Sequence, residues 1–381
     1  MLIGDIRTRE DLSPVIDTLF LTDNDMRYLS FVRHLRPIKS RFGAMVTKTK
    51  HEWRNLAARV VTVTSGTSGA GVLWNSTGVT ASLPIASGDI TKIRVGDVLL
   101  LPNGSEQVVV KTVTTGSNTI DVYGRGHGGS TATAQPTTAF TVTIIGNAQV
   151  EGGDAMTANF QGFTEDYNYV QEFEDVADES LQLAIASGAD FGDALDMAVA
   201  VKTKETLRLL NRALIYGLRN NDTTNKVATM GGLRQFISNT SNVGGSLTEA
   251  KLYSALETHL AAGLVPTAIH GSIHAIAALE QLYTGKLQMK SDERRAGLSV
   301  AVITALGFDL ELRADRDMLS SEMLIVDDER IAYGAMENGQ VSGALATYDL
   351  PANGKKKAKQ VLGLYTGDFR NGAGTRCYGI S

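Results

Sequence analysis

Val95-Gly96-Asp97-Val98-Leu99, Glu106-Gln107-Val108-Val109-Val110, Val122-Tyr123-Gly124-Arg125-Gly126-His127-Gly128-Gly129 and Ile145-Gly146-Asn147-Ala148-Gln149-Val150-Glu151-Gly152 follow one another in this chain and carry its strongest fold signal. Val98 to Leu101 and Val108 to Val110 are short apolar runs rich in branched side chains, and Thr119 to Tyr123 alternates apolar with polar residues. Branched side chains pack well on a pleated surface, so these runs suit strands. Pro102-Asn103-Gly104-Ser105 and Thr115-Gly116-Ser117-Asn118 separate them. Asn-Gly supplies the positive φ angles of a tight hairpin turn. The pattern predicts a small all-β module between Ile85 and Ile145.

Outward from this module the composition changes sharply. Thr62 to Gly71 is dominated by Thr, Ser and Gly, the composition of a flexible connector, and Lys48 to Thr64 reads as extended chain. From Arg27 to Arg59 there are nine basic residues against one acid, Glu52. From Glu151 to Ser180 there are nine acids and no lysine or arginine. Blocks of opposite charge face each other or face partners. Arg33, Arg36, Lys39, Arg41, Lys48, Lys50 and Arg54 are therefore candidates to contact Glu165, Asp166, Glu172, Glu174 and Asp175 of another copy of the chain.

The N-terminal forty residues read as an arm with short helical pieces. Leu207, Leu210, Leu214, Ile215 and Leu218 recur at helical spacing, which predicts a long helix from Asp190 to Arg219, about 45 Å at 1.5 Å per residue. Asp190, Asp193 and Asp196 suit its N-terminal end and Arg219 its C-terminal end. Ser246-Leu247-Thr248-Glu249 has capping-box spacing for a second helix that stops at Gly263, and a third is expected from Ser272 to Tyr283, stopping at Gly285. Strands are expected again at Phe308 to Arg313, Met323 to Val326, Gln360 to Phe369 and Thr375 to Ile380, and Lys355-Lys356-Lys357 with Lys359 at a solvated hairpin tip.

With 381 residues, 43% of them hydrophobic, the chain has enough apolar surface for a sizeable core. Its 39 glycines and 7 prolines favour turns over rigid linkers. No apolar run approaches the roughly 18 residues of a membrane span, so a soluble protein without a secretory signal is expected. The single cysteine, Cys377, has no histidine near it in sequence and is expected to be inert in a strand. Gly124-Arg125-Gly126-His127-Gly128-Gly129 has the spacing of a dinucleotide loop, but threonines and Pro136 follow where a helix is needed to receive the pyrophosphate. His270 and His274 have the spacing of a zinc pair on one helical face, but no third ligand is apparent. The carboxylates between Glu165 and Glu179 lack the contrasting environments of an acid and base pair. Tyr28, Phe31, Phe42 and Trp53 lie among the basic residues, as in single-strand nucleic-acid binders, without a repeating aromatic platform. No enzyme activity, cofactor or metal is expected.

The four opening stretches resemble the series VGD, E-x-x-x-V, RG-x-GG and GNA-x-x-EG of a family of tailed-bacteriophage major capsid proteins with a β-insertion in the extended loop. Thr229-Met230-Gly231-Gly232-Leu233 and the run from Arg313-Ala314-Asp315-Arg316-Asp317 to Asp327-Asp328-Glu329-Arg330-Ile331 are similar to the axial domain and its returning strands. Val361 to Cys377, with Leu364-Tyr365-Thr366 and Arg370-Asn371, resembles the closing strands of the peripheral domain. These matches run in the family's order from about residue 50 to the C-terminus.

The resemblance implies an α+β chain with the major capsid protein fold of tailed phages. Its parts would be an N-terminal arm (1–47), an extended loop (48–62 and 148–180), an inserted small all-β domain (63–147), a peripheral domain with a long spine helix (181–225 and 306–381) and an axial domain (226–305). It implies a shell subunit that forms hexamers and pentamers of an icosahedral or prolate head, assembled in the host cytoplasm and found in the virion. The implied partners are further copies of the chain, a portal, a decoration protein and non-specifically bound double-stranded DNA, with no membrane. No long N-terminal coiled-coil segment is apparent, so a separate scaffold protein is expected. No lysine and asparagine pair matches the covalent cross-link of some members. Cellular nanocompartment shells share this fold and are the alternative reading.

Overall fold

The computed structural model describes residues 31–56, 61–66, 71–103, 105–149, 151, 163–180, 194–283, 288–291, 299–338, 340–351 and 356–380. They fall into two compact units, one drawn from the ranges 1–55 and 164–381 and the other from 56–163. The first unit opens with β1 (Arg36–Pro37), α1 (Ile38–Phe42) and β2 (Lys50–Asn55). The second holds β3 (Thr62–Thr64), α2 (Gly71–Asn75), β4 (Leu83–Pro84), β5 (Asp97–Leu100), β6 (Gln107–Thr114), β7 (Thr119–Val122) and β8 (Thr141–Asn147). The chain returns through β9 (Thr164–Tyr169), β10 (Gln171–Ser180), α3 (Ala194–Tyr216), β11 (Asn220–Asp222), β12 (Val227–Thr229), α4 (Leu233–Phe236), β13 (Asn239–Gly245), α5 (Glu249–Ala261), β14 (Ala268–Ser272), α6 (Ile273–Leu282), β15 (Gln288–Ser291) and β16 (Ser299–Ala305). It closes with β17 (Phe308–Asp315), β18 (Glu322–Val326), β19 (Ile331–Ala335), β20 (Ala346–Asp349), β21 (Lys356–Phe369) and β22 (Gly374–Ile380).

In the second unit the strands run in the order β3-β8-β5-β6-β7-β4, every pair antiparallel. The two ends of that order meet: Ser65 bridges to Ile85, Gly66 N–H donates to the Pro84 carbonyl at 3.0 Å, and Ala86 N–H donates to the Thr64 carbonyl at 2.9 Å. The sheet thus closes as a small barrel, which removes the open edges that invite unwanted pairing. Alternate residues point inward, so Val63, Leu83, Leu99, Val108, Ile120 and Val142 fill the interior with Trp74 and Phe140. The Trp74 indole N–H donates to the Pro84 carbonyl at 2.8 Å, so its polar end is satisfied inside the core.

The first unit has two principal sheets. One runs β1-β19-β21-β10, with β20 also on β21, and α3 lies on one of its faces through Leu210, Leu214 and Ile215 against Phe173, Tyr365 and Phe369. The other is mixed and seven-stranded, in the order β13-β22-β18-β14-β17-β16-β15. Leu252, Leu256, Ile276 and Leu279 of α5 and α6 pack there with Ile303, Leu310, Met323 and Ile325.

Several expectations change. The long helix ends at Tyr216, three residues before Arg219, because Gly217 lies against the Met230-Gly231-Gly232 loop: Gly232 N–H donates to the Gly217 carbonyl at 2.8 Å, and a side chain on Gly217 would meet the Met230 carbonyl at 2.4 Å. Asp190 and Asp193 lie outside the described residues, while Asp196 pairs with Lys359 at 2.6 Å. The cap of α5 is Thr248, whose side chain accepts from Lys251 N–H, and not Ser246; Leu247 between them is buried in the core. Helix α6 keeps Ser272 as its cap, accepting from Ala275 N–H at 3.1 Å.

The expected segment limits also shift. Strands β17, β18 and β22 share a sheet with β13 to β16, so a cut between residues 305 and 306 runs through continuous β-structure. Of the ranges assigned to an extended loop, 50–55 and 164–180 belong to the first unit. Trp53 is buried there, 5.7 Å from the rings of both His51 and Phe236. The acidic run alternates strictly enough to be a strand, turning Phe173 and Ala177 inward.

Candidate assembly surfaces and structural clamps

The four sequence stretches that mark the second unit converge in pairs. Asp97 is fully buried, and its carboxylate accepts from Arg94 N–H at 2.8 Å and from the Asn147 side-chain amide at 3.1 Å. Gly96, at φ +83°, passes so close to the exit of β8 that a side chain would stand 2.5 Å from the Ala148 carbonyl. Hence Val95-Gly96-Asp97 and Asn147-Ala148 form one latch. Glu106 and Arg125 form a second: Arg125 Nε and Nη2 donate to the two Glu106 oxygens at 2.6 and 2.8 Å. Gly126 and Thr133 N–H each add a bond at 2.9 Å, and Arg125 also donates to the carbonyls of Ser76 and Thr133. Burial alone would raise the Glu106 pKa, but Arg125 and the two N–H groups outweigh it and hold the carboxyl below its ordinary range.

In the first unit a clamp sits where sequence reading saw only a motif. Asn168 is fully buried; its amide donates to the carbonyls of Gly231 and Gly367, both at 2.9 Å, and its carbonyl accepts from Gly231 N–H at 2.7 Å. This fixes β9 to the Thr229-Met230-Gly231-Gly232 loop. Arg219 stacks on Tyr167 at 4.0 Å and donates to Asp166 at 2.8 Å. His51 and Arg370 converge on the buried Asp368, at 3.2 and 3.0 Å. None of these contacts was visible in the sequence: Gly231-Gly232 stood out only as part of a motif, and Asn168, 63 residues away, carried no signal of what it meets.

The charged candidates occupy distinct positions. Arg33, Arg36, Lys39 and Lys48 are exposed, while Arg41 is half-buried and donates to the Asp328 carbonyl at 2.6 Å. Lys39 lies 3.4 Å from Glu337, and Lys50 pairs with Glu52. Strands β2 and β9 bring one basic and one acidic candidate together within the chain, Arg54 with Glu165 at 3.1 Å. Asp166 is taken by Arg219 and Asp175 by Lys202, at 2.8 and 3.3 Å. Glu172 and Glu174 project from the outward face of β10, where Glu174 accepts from Gln360 at 2.6 Å.

The remaining motifs have structural roles. The glycine loop turns through positive φ at Gly126, Gly128 and Gly129 and leaves in extended conformation at Ser130, with no helix. His270 and His274 do not share a helical face: His270 is buried on β14, 3.0 Å from Arg313 Nη1, and His274 is exposed in the first turn of α6, because the strand runs up to the Ser272 cap. Cys377 is buried on β22, and burial pushes its thiol up to about 12. Among the described residues no cluster of three or more His, Cys, Asp or Glu could hold a metal ion, and no helix is long and apolar enough to cross a membrane.

The described residues thus form a mixed helix-and-sheet protein whose buried polar groups fasten strands to loops. A family model described as SU10 major capsid protein matches residues 7–378, and the chain belongs to that family. It is a major capsid protein, a subunit of a phage shell and part of the virion. No curated protein matches it in sequence. Among solved structures, the capsid asymmetric unit of cyanophage A-1(L) is similar at 14% identity and a TM-score of 0.43, covering 62% of this chain and 85% of that one. The capsid of Myoviridae phage XM1 is similar at 12% identity and 0.41, over 61% and 81%. The holo-SrpI encapsulin complex from Synechococcus elongatus is similar at 13% and 0.45, over 58% and 78%. Membership rests on the family match.

Proposed function

We propose that this subunit builds the hexamers and pentamers of an icosahedral or prolate head around double-stranded DNA, with a portal and a separate scaffold protein as partners and a decoration protein on the finished shell. The family match over residues 7–378 carries this reading. Residues 226–305 would lie toward capsomer centres, the α3 body at their periphery, and the barrel of 56–163 would be the inserted domain. Exposed charges of opposite sign, Arg33, Arg36 and Lys48 against Glu172 and Glu174, would set register between copies, since weak pairs permit error correction during assembly. The basic side chains left outside such contacts would touch packaged DNA without sequence preference. Negative-stain microscopy of the full chain, alone and with a candidate scaffold, tests the proposal. Closed shells with sixfold and fivefold clusters are expected; a monomer that persists at high concentration with scaffold present refutes it.

A further inference from the structure

We infer that the outward face of the β10–β21–β20 sheet is a docking surface for a second copy of this chain, which seats there its basic segment carrying Arg33 and Arg36; the inference rests on the shell-forming reading above. On this sheet even-numbered residues share one face, because Glu174 pairs with Leu362, Val176 with Gln360 and Asp178 with Ala358, while Leu362 and Gln360 pair in turn with Ala346 and Tyr348. The opposite face carries Phe173 and Tyr365 and is covered by α3. On the outward face Ile38 and Val46 pack with Leu364 at one end. Beyond that point the apolar row continues, and Val176 and Tyr348, on either side of Gln360, remain 42% and 45% exposed. With the partly buried Leu362, Ala346 and Ala358 of the same face, they extend the apolar patch that Ile38 and Val46 cover at its other end, and an apolar patch left open marks a contact surface.

Charge selects the occupant. Glu172, Glu174 and Asp178 border the row, and among the described residues only Asp178 of the three has a lysine against it, Lys356 at 2.6 Å. Phosphate would be repelled, so packaged DNA does not fit. The chain's own residues 1–30 carry six acids, Asp5, Glu10, Asp11, Asp17, Asp23 and Asp25, against Arg7, Arg9 and Arg27, and so have the wrong sign. Arg33 and Arg36 have the right sign; both are exposed, and among the described residues neither has a carboxylate partner. Leu35 between them is buried in its own subunit's core, so this segment turns its two cations outward, and they match the acidic border of the row.

The test places a photoreactive benzoylphenylalanine at Tyr348 of the full chain, assembles shells from a mixture of light and heavy-isotope subunits, and maps the cross-linked peptides by mass spectrometry. Expected are cross-links between copies into peptides spanning residues 33–41, lost when the shells are dissociated. Cross-links into residues 1–30 of the same chain, into any other segment, or none in well-formed shells would overturn the inference while leaving the shell reading intact. Should the bulky group at 348 block assembly, the same probe at Glu174 gives the same two outcomes. If the unmodified chain forms no shells under any condition, the shell reading fails and the inference with it.

Discussion

Glu106 and Arg125 form a bidentate ion pair whose side chains are 0% and 2% exposed, and the same carboxylate also receives two backbone N–H groups from the loop beyond Arg125. One acid on β6's approach therefore determines the path of the glycine-rich loop. Removing one partner of a buried pair leaves the other uncompensated, at a cost of about 3–5 kcal/mol. Arg125→Ala should accordingly release the second unit alone. Hydrogen exchange on the full chain should show protection lost across residues 97–147 and kept in α3, whereas unchanged exchange in the barrel would contradict the clamp.

The Gly217 and Gly232 contact makes a steric prediction. A side chain at Gly232 would stand 2.6 Å from the Ala213 carbonyl and 2.7 Å from Gly217 N, both backbone atoms that cannot turn aside. At Gly78 nothing lies within 4 Å. Gly232→Ala should lower thermal stability by several degrees, since strain of about 1–3 kcal/mol moves the midpoint of a chain this size by a few degrees per kcal/mol. Gly78→Ala should be close to neutral. Equal midpoints for the two variants would show that the helix end yields.

Acid should weaken the first unit through His259. Burial pushes its pKa down to about 4, and its Nδ1 lies 3.1 Å from the Thr375 hydroxyl. A depressed folded pKa means that the neutral form is favoured by folding, so this stabilisation is complete above the unfolded value near 6.5 and is lost as pH falls toward about 4. Between about pH 7 and about pH 5 the loss should be about 2 kcal/mol. Within the same unit the buried Asp315, pushed up chiefly by burial, opposes this loss, while Glu106, held below its ordinary range, gives the second unit an acid loss of its own at lower pH. Urea melts of the unmodified chain and of His259→Asn at both pH values isolate the histidine: the variant should lose less stability on acidification, and parallel losses would rule His259 out.

Which parts of this structure were readable in advance follows from the range of the interactions involved. The hairpins of the barrel, α3 and α6 rest on local spacing and turn chemistry, and they occur at or near the expected residues. The acidic run was harder, because its charges were read only as a block facing another copy while its Phe173, Ala177 and Glu179 spacing specified a strand with one buried face. His270 and His274 had helical spacing, yet Ser272 ends a strand between them and begins the helix. Asn168 with Gly231 and Gly367, 63 and 199 residues away, shares no local pattern with either, so only the fold brings them together. Of the charged candidates, Arg54 and Glu165 meet within one chain, since β2 and β9 pair in register.

That internal pair gives the charge-block proposal its control. Arg54 and Glu165 bond to each other in one subunit, so reversing both tests local pairing and should leave assembly unaltered. Arg33 and Arg36 have no such partner among the described residues, and Glu172 and Glu174 project outward. Reversing the two arginines, or the two glutamates, should slow assembly, and reversing all four should restore part of the rate. A single exposed pair contributes only about 0–1 kcal/mol, so one substitution should do little and the effect should appear in multiples. Salt should act in the same direction, because the screening length falls from about 10 Å at 0.1 M to about 3 Å at 1 M. Light scattering during assembly measures both effects. If instead the arginines serve the packaged DNA, their reversal should leave empty shells forming at the normal rate and impair packaging alone; a fourfold reversal that assembles no faster than either twofold reversal would decide against contact between copies.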